Sequence, residues 1–415
     1  TQLLSKDNTM DRKSIISGYS VHLPFADDGS QLIANLKQGK RVKTAPWFKS
    51  NDEAIKCGLR GNVNVAKMKY SNDSIPELLY RLIDEALRQS MLDENCLRED
   101  NIRVYITGIG PRVDAIDYRS FATYNDIEDL ALTPSITNLC AKNMSQDIIA
   151  ELLAKKYRLR YLPPNINCTS NSGLTAVHLA SHAIERGGIE LALIINISQV
   201  KSQDIWFLST QSMLDTDLVQ PFGVNSKGVI FAEGYSVLVL ESDHHRLARQ
   251  LVDGVSIKTA YKQINASRSN DVYWQSTCIL KLVNQLLNDT RVKIEDVCAF
   301  IPHGNGTAFS DSIEAKAIAI LAGENMLPVL AYKGQIGYTA TGSGLVDLII
   351  GHHSVSCHEL IKPVINEPIV NGIAHHFLTG PGVIKHHKSH LLKTGLGVDG
   401  SIIAALLSNT AREAS

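Results

Sequence analysis

Short runs of almost uninterrupted apolar residues recur along the chain, separated by stretches with helical spacing. The clearest runs are LALIINI at residues 191–197 and IIAALL at residues 402–407. A strand that is apolar at nearly every position, rather than at every second one, is typical of a sheet covered on both faces. Further strands are predicted over residues 14–23, 104–109, 229–240 and 297–302, and helices over 74–90 and 145–157. This alternation predicts an α/β fold with parallel or mixed sheets.

The length and the charge balance restrict the class of protein. The chain has 415 residues, with 41 basic and 42 acidic side chains and a net charge of −1. A near-neutral balance argues against binding to nucleic acid or to an anionic membrane. The length corresponds to two or three domains of about 150 residues each, or to one large unit with two lobes. The charged stretch 241–250 is the best boundary, so we predict units over 1–250 and 251–415. We detect no repeat between them.

The sequence gives no indication of a membrane span. The richest apolar stretches, 191–197 and 345–350, are much shorter than the ~20 residues that a spanning helix needs. The first residues, TQLLSKDNTMDRKS, lack the apolar core of a signal peptide. We therefore expect a cytoplasmic protein that does not associate with membranes.

Cysteine and histidine do not form a convincing metal site. The seven cysteines are scattered and never spaced CxxC, which argues against a disulfide framework or a zinc knuckle. Eight of the fourteen histidines follow residue 350, mainly as adjacent pairs. Adjacent side chains rarely point the same way on a strand or helix. We expect a His-rich surface loop here, with no bound metal and no cofactor.

One segment has the pattern of a nucleophile turn. A short strand ends near Ile166, four small residues follow at positions 170–173, and an apolar helix runs on to a Gly-Gly stop at 187–188. Small residues permit a tight turn that exposes one side chain at a helix N-terminus, where negative charge is favoured. The alternative, simple capping of the helix by a serine or threonine, stays open from this segment alone.

Three further segments place ionisable residues at boundaries between strands and loops. PFGVNSKGVIFAEG contains Glu233, IPHGNGTAFSDSIE contains His303, and AYKGQIGYTATGSG contains Lys333. Each residue has an alternative interpretation: the two charged residues as solvated surface groups, and the histidine as a hydrogen-bonded core residue. Together they suggest one shared site built where strands end.

These segments resemble the β-ketoacyl synthases of fatty-acid and polyketide assembly, within the thiolase-like superfamily. HGNGT followed by SDSIEA, then KGQIGYTATGSG, occurs in the family's order and roughly its spacing, and VYITGIG at 104–110 is similar to one of its strands. The resemblance covers residues 12–410. It implies a five-layered αβαβα fold of two similar halves, and a homodimer or a heterodimer with a ketosynthase homologue.

The resemblance also implies a nucleophile. Aligning AVHLA at residues 176–180 with the family without a gap places Ser170 where the family has its catalytic cysteine. The neighbouring Cys168 would need a two-residue insertion to occupy that position. We therefore expect Ser170 to replace the cysteine.

The other catalytic positions carry over with one change. The HGTGT histidine of the family corresponds to His303, the lysine to Lys333, and the glutamate partner of that lysine to Glu233. The second family histidine corresponds to Tyr338.

The resemblance further implies a substrate-binding set. The glycine-rich gate near the C-terminus of the family corresponds to residues 395–398, which include Leu396 and Gly397. Asn171, next to the expected nucleophile, and Thr307, in HGNGT, complete the set.

These substitutions favour acyl transfer over condensation. A serine hydroxyl cannot ionise as a thiol does and needs a general base, for which His303 is the remaining family histidine. Loss of one oxyanion donor typically costs about 2.7–4 kcal/mol, which disfavours decarboxylative condensation when tyrosine replaces histidine.

We therefore predict a ketosynthase-like acyltransferase of a fatty-acid or polyketide type of pathway. It would take an acyl group from the phosphopantetheine of an acyl carrier protein, or from an acyl-CoA, onto Ser170 and pass it to an acceptor. One alternative is a non-catalytic partner subunit similar to a chain-length factor. A further alternative is a condensing or decarboxylating β-ketoacyl synthase.

Overall fold

The structure is a computed structural model, which describes residues 12–68, 74–124, 146–214, 219–264, 270–380 and 382–412. The side chains of residues 120–124 and of residue 412 are not described. Cys140 and most of the N-terminal stretch on which the signal-peptide expectation rests lie outside these ranges.

The described strands are from two to nine residues long. They are β1 (Ser14–His22), β2 (Ala45–Pro46), β3 (Asn64–Val65), β4 (Ile102–Ile109), β5 (Asn165–Ile166), β6 (Leu191–Ser198), β7 (Gly234–Ser242), β8 (Val255–Gln263), β9 (Val297–Ile301), β10 (Glu359–Ile361), β11 (Val383–Lys385), β12 (His390–Leu396) and β13 (Ser401–Asn409).

The helices lie between these strands along the chain. They are α1 (Gly29–Lys37), α2 (Asn51–Lys56), α3 (Ile75–Gln89), α4 (Ala115–Tyr124), α5 (Gln146–Tyr157), α6 (Ser172–Glu185), α7 (Ser202–Thr210), α8 (Asp243–Ala248), α9 (Val272–Thr290), α10 (Ala308–Ala322), α11 (Lys333–Ile336) and α12 (Ser343–Cys357).

Nine strands form one mixed sheet in the order β5-β4-β6-β7-β1-β8-β13-β12-β9. The first five strands precede residue 250 and the last four follow it. Only three residue pairs, between β1 and β8, join the two parts. The pairs β4–β5, β4–β6 and β9–β12 are parallel, and the others are antiparallel. The predicted mixed α/β sheet is confirmed, whereas the division into units at residue 250 stays a prediction.

Alternate strand residues enter different cores, which creates five layers. On β6, Leu191 and Leu193 pack with residues of α3 and α5, whereas Ala192 and Ile194 pack with residues of α6 and α12. The strands of the other part share the same central core on one face and pack against α9 and α10 on the opposite face. The layers are therefore outer helices, one part of the sheet, the central helices, the other part of the sheet, and the helices of the opposite outer face. This confirms the predicted αβαβα fold and explains the strands that are apolar on both faces.

The two central helices approach each other closely at glycines. A side chain at Gly173 would lie 2.9 Å from Leu345, and one at Gly344 would lie 2.4 Å from Leu174. Both helices begin Ser-Gly-Leu, and each follows a one-turn 3-10 helix. The first residue of each 3-10 turn has a positive φ, 48° at Thr169 and 45° at Ala340. The repeat that the sequence search missed is therefore a short turn-and-helix unit with few identical residues.

Two sequence expectations need correction. The strand predicted over 229–240 begins at Gly234, because Phe231 and Ala232 form isolated bridges with distant residues instead of joining the sheet. The C-terminal histidines do not form one surface loop. His352 and His353 lie on α12, and the side chain of His376 is fully buried. Because His352 and His353 are polar, the sequence pattern did not indicate the apolar helix that contains them.

Among the described helices, none combines the length and the apolar character needed to cross a membrane.

The layered fold predicts a large difference between two leucine truncations. Leu345 of α12 is fully buried in the central core, whereas Leu247 of α8 is 54% exposed. Leu345→Ala is expected to lower the free energy of unfolding by about 2–5 kcal/mol. Leu247→Ala is expected to change it by less than about 0.5 kcal/mol. Urea denaturation of both variants measures the difference, and equal effects would contradict the central position of α12.

Candidate active site

Ser170 lies in the turn that leads into α6, not within the helix itself. Residues Thr169–Asn171 form the one-turn 3-10 helix, and α6 begins at Ser172. The hydroxyl of Ser172 closes the turn by accepting from the backbone N–H of Cys168 at 2.9 Å and donating to the carbonyl of Thr169 at 2.7 Å. Ser170 is partly buried. The turn therefore presents the Ser170 side chain ahead of the helix N-terminus.

The hydroxyl of Ser170 has two neighbours. It donates its proton to the backbone carbonyl of Leu396, 2.7 Å away at the end of β12. It also forms a hydrogen bond with the phenol of Tyr338. The contacts with Ser170 and Asn305 lower the pKa of the phenol, whereas burial raises it by more.

The hydrogen bonds continue from Tyr338 to a loop after β9. The phenol also bonds to the side chain of Asn305, whose Oδ1 accepts from the hydroxyl of Thr307 at 2.8 Å. Burial raises the pKa of Tyr338 to about 12, so the phenol keeps its proton at neutral pH. Tyr338 is therefore a neutral phenol at this site and not a base.

His303 follows β9 and is almost completely buried. Its ring meets that of Tyr338 edge to face, with 5.8 Å between the ring centroids. Within the described residues, no hydrogen bond joins the His303 ring to Ser170. Tyr338 thus contacts both side chains and lies at the centre of the site.

The His303 ring is neutral at physiological pH. Burial lowers its pKa well below the usual value, and the positive charges of Lys333 and Lys393 lower it further. A neutral imidazole has one nitrogen free to accept a proton. The ring is therefore available to accept a proton at neutral pH, and its lowered pKa makes it a weaker base than an exposed histidine.

The structure corrects the partner of Lys333. Its ammonium lies 2.7 Å from the carboxylate of Asp347 and donates to the carbonyl of His303. Glu233 instead accepts from the backbone N–H of Met68 at 2.8 Å, and burial raises its pKa. The sequence prediction failed here because Asp347 lies 14 residues after Lys333 on a neighbouring helix, and no local spacing reveals that pairing.

Three further ionisable residues of the site were missed by the sequence analysis. Lys393, on β12, is 1% exposed and lies 2.8 Å from Asp347. Glu314, on α10, accepts from the N–H groups of His303 and Gly304, both at 2.7 Å. A signal existed, since Lys393 and Asp347 are each a single charge within an apolar run, and Glu314 ends the SDSIE motif.

A second carboxylate of α10 lies beneath the same loop. Asp311 accepts from the N–H of Phe222 at 2.7 Å and from that of Gly306 at 3.3 Å. Burial raises the pKa of Asp311 to about 7, and the nearby Glu314 also raises it.

The expected substrate-binding residues have different environments. The Asn171 amide is fully buried and donates to the carbonyl and the hydroxyl of Ser401, both at 2.9 Å. This side chain fixes the nucleophile turn to β13. Thr307 is half-buried and bonds to Asn305. Leu396 contributes its carbonyl to Ser170, and a side chain at Gly397 would lie 3.0 Å from the Thr169 hydroxyl. The roles of all four in binding stay predictions.

No group of three or more histidine, cysteine or acidic side chains within the described ranges could hold a metal ion.

Comparison with known families covers most of the chain. Residues 12–246 match the profile described as the N-terminal domain of beta-ketoacyl synthase, and residues 256–366 match that of the C-terminal domain. The chain belongs to the β-ketoacyl synthase family.

Curated relatives are much longer proteins of polyketide synthesis. The chain is 27% identical over 193 residues to a component of the pikromycin polyketide synthase of Streptomyces venezuelae, covering 44% of the chain and 5% of that protein. It is 29% identical over 195 residues to 3-methylorcinaldehyde synthase of Sarocladium schorii, covering 44% of the chain and 7% of that protein. The aligned part is thus a small fraction of each relative.

Solved structures of ketosynthases have the same fold over nearly the whole chain. One is a type II polyketide synthase acyl-carrier protein in complex with its ketosynthase bound to the hexaketide, with a TM-score of 0.78, 17% identity, and coverage of 96% of this chain and 100% of that chain. Another is the ishigamide ketosynthase/chain length factor, with a TM-score of 0.77, 16% identity, and coverage of 96% and 99%. The thiolase-like fold is therefore shared with these proteins.

Asp311 predicts a specific pH dependence of stability. Its pKa is about 7 in the folded chain, whereas the ordinary value for an aspartate is 3.8, so between these values the folded state binds more protons than the unfolded state. The stability contributed by this group therefore decreases as the pH rises through this window and is constant above about pH 7. As the pH rises through the window, the free energy of unfolding of Asp311→Asn should increase relative to that of the wild type by up to about 1.4 kcal/mol per pH unit.

Urea denaturation of the wild type and of Asp311→Asn at several pH values measures this difference. A difference in the free energy of unfolding that does not change with pH, or one that shifts towards the wild type as the pH rises, would contradict the assignment.

Proposed function

We propose that this β-ketoacyl synthase family member is an acyltransferase in which Ser170 receives the acyl group and His303 is the general base. The observation that carries the proposal is the position of the Ser170 hydroxyl. It lies in the turn before α6 and contacts the phenol of Tyr338. The ring of Tyr338 in turn meets the neutral ring of His303 edge to face. An alcohol nucleophile needs a neutral base near it, and this arrangement provides one.

The first half-reaction is an acyl exchange. Ser170 Oγ attacks the carbonyl carbon of the thioester, and its proton moves to His303 as the C–O bond forms. The C–S bond then breaks, and the thiolate takes the proton from His303. The products are an acyl ester on Ser170 and a free thiol. For this step the Ser170 hydroxyl must release the Leu396 carbonyl and come within hydrogen-bond reach of the imidazole.

Tyr338 favours this exchange over condensation. A phenol can donate one hydrogen bond to an oxygen that becomes negatively charged, as the serine oxygen does if the ester later breaks. The same phenol is already bonded to Ser170 and Asn305. It therefore supports ester chemistry at Ser170, and we propose no decarboxylation step for this site.

The acyl donor is a thioester of polyketide or fatty-acid type. One relative named above is a component of a polyketide synthase, and one solved neighbour is a ketosynthase with an acyl carrier protein. We propose the phosphopantetheine thioester of an acyl carrier protein as donor, with an acyl-CoA as the alternative source of the same group. The proposed reaction itself involves no other cofactor.

Intact-mass measurement after incubation with acyl thioesters tests the proposal. Wild-type protein is expected to gain the mass of one acyl group, and Ser170→Ala is expected to gain none. His303→Gln should label roughly a hundred- to ten-thousand-fold more slowly, the usual contribution of a general base. Ser170→Cys should still label, because a thiol near a helix N-terminus ionises more readily.

Cys168→Ala is the matched control, because Cys168 is two residues from Ser170 and its backbone N–H belongs to the same turn. It should label as the wild type does. Loss of label in this variant with normal labelling of Ser170→Ala would assign the nucleophile to Cys168 and contradict the proposal.

A second candidate function is a non-catalytic partner of a ketosynthase, similar to a chain-length factor. It is favoured by the fold match over 99% of a chain from a ketosynthase/chain length factor structure, together with serine in place of cysteine. The buried network around His303 favours the enzyme, because a partner subunit needs no neutral base. Absence of label with every donor, combined with tight binding to a ketosynthase homologue, would establish the partner function instead.

Both functions agree with pairing through β5. Among the described strands, this one ends the sheet and pairs only with β4. A free sheet edge presents unpaired N–H and C=O groups, and the chain just before it exposes Tyr161 and Leu162. We propose that the edge pairs with a second copy of the chain or with a ketosynthase homologue.

Light scattering at micromolar concentration tests this pairing. The chain, alone or mixed with the homologue, should have the mass of a dimer, and Leu162→Glu should shift it towards the monomer. Leu247→Glu, which alters a similarly exposed leucine on α8, should leave the dimer intact. A monomer under both conditions would contradict the proposal.

A further inference from the structure

Two buried lysines contact the carbonyl side of the turn that carries His303. The ammonium of Lys333 donates to the carbonyl of His303, and that of Lys393 donates to the carbonyl of Pro302, 3.1 Å away. Both ammonium groups also lie close to one oxygen of Asp347, at 2.7 and 2.8 Å. One carboxylate therefore joins lysines of α11 and β12 to two consecutive peptide groups.

The opposite side of the same turn is held by Glu314. Its carboxylate accepts from the N–H groups of His303 and Gly304 and from the hydroxyl of Thr394, each at 2.7 Å. Thr394 follows Lys393 on β12. The strand therefore supports the turn from both sides, through Lys393 on the carbonyls and through Thr394 and Glu314 on the amides.

Lys393 has no donor left for a substrate. Besides Pro302 and Asp347, its ammonium donates to the carbonyl of Thr394 at 2.6 Å. Three acceptors match the three N–H bonds of an ammonium. Its side chain is 1% exposed, and that of Asp347 is 4% exposed.

We infer that Lys393 and Asp347 are positioning residues, which hold the His303 ring against Tyr338 by fixing the peptide groups around it. The inference rests on the role of His303 proposed above, and goes beyond it because neither residue takes part in the acyl exchange. It gives Lys393 and Asp347, which the sequence analysis missed, a role in setting the position of the proposed base.

Removal of Lys393 should also change the charge that His303 experiences. The ionisable groups packed around the His303 turn come from α10, α11, α12, β12 and the loop after α11: Asp311, Glu314, Lys333, Asp347, Lys393 and Tyr338. The two lysines disfavour a protonated imidazole. With one lysine removed, the ring should take up a proton more easily.

The test compares Lys393→Met with Lys388→Met by NMR of isotope-labelled histidine, with His303→Gln used to identify the signal. Lys388 is a matched control because its ammonium also donates to a backbone carbonyl, that of Val297, at 3.1 Å. Val297 begins β9, whereas the His303 turn follows the other end of that strand. In the wild type and in Lys388→Met, the His303 signal should not titrate between about pH 5 and pH 8. In Lys393→Met the titration should begin at a higher pH than in either of them, because one of the two positive charges that disfavour the protonated ring is gone.

The rate of Ser170 acylation provides the second measurement. A base with a raised pKa is protonated over more of the acidic range, so the loss of rate in Lys393→Met should be greater at pH 6 than at pH 8. Lys388→Met should keep the wild-type profile. If the wild type is not acylated at all, the proposed function fails while the NMR signal still decides this inference.

The double variant Lys393→Met/Asp347→Asn removes one charge of each sign and serves if the single variant does not fold. Its His303 signal should broaden or shift from the wild-type position, and a signal that matches Lys388→Met in position and titration would overturn the inference. Failure of both variants to fold would also overturn it, because the two residues would then be required for the fold as a whole.

Discussion

The candidate active site depends on a single buried carboxylate that contacts two buried lysines. Asp347 lies between Lys333 and Lys393, and without it two like charges would face each other away from water. An uncompensated buried charge typically costs about 3–5 kcal/mol when its partner is removed. Because the three residues come from α11, α12 and β12, the arrangement forms only when these elements pack together. The position of the His303 turn follows from that packing.

The central helix pair brings Ser170 to this charged cluster. Gly173 and Gly344 allow α6 and α12 to approach each other at their N-terminal ends, where any larger residue would overlap a leucine of the opposite helix. The turn before α6 carries Ser170, and α12 carries Asp347 one turn after Gly344. The same contact that fills the central core therefore sets the site. Tyr338 contacts both Ser170 and His303 at this point.

Much of this structure could be predicted from the sequence, and the failures have a common cause. Strands such as β6 were evident because both faces are apolar, and Ser170 and His303 could be singled out as candidates because their motifs are local. The partner of Lys333 was wrong and Lys393 was missed, because both pairings join distant residues through Asp347. The start of β7 was misplaced for the same reason, since Phe231 bonds to a distant segment. Local patterns predict elements and motifs, but they carry no information on which buried charges will meet.

The structure of the protein after exposure to an acyl thioester tests the central claim most directly, because it identifies the atom that carries the acyl group. Continuous density from Ser170 Oγ to an acyl carbon, with the His303 ring within hydrogen-bonding reach of that oxygen, is the predicted result. Density on Cys168, or an acyl chain bound without a covalent bond beside an unchanged Ser170, would contradict it.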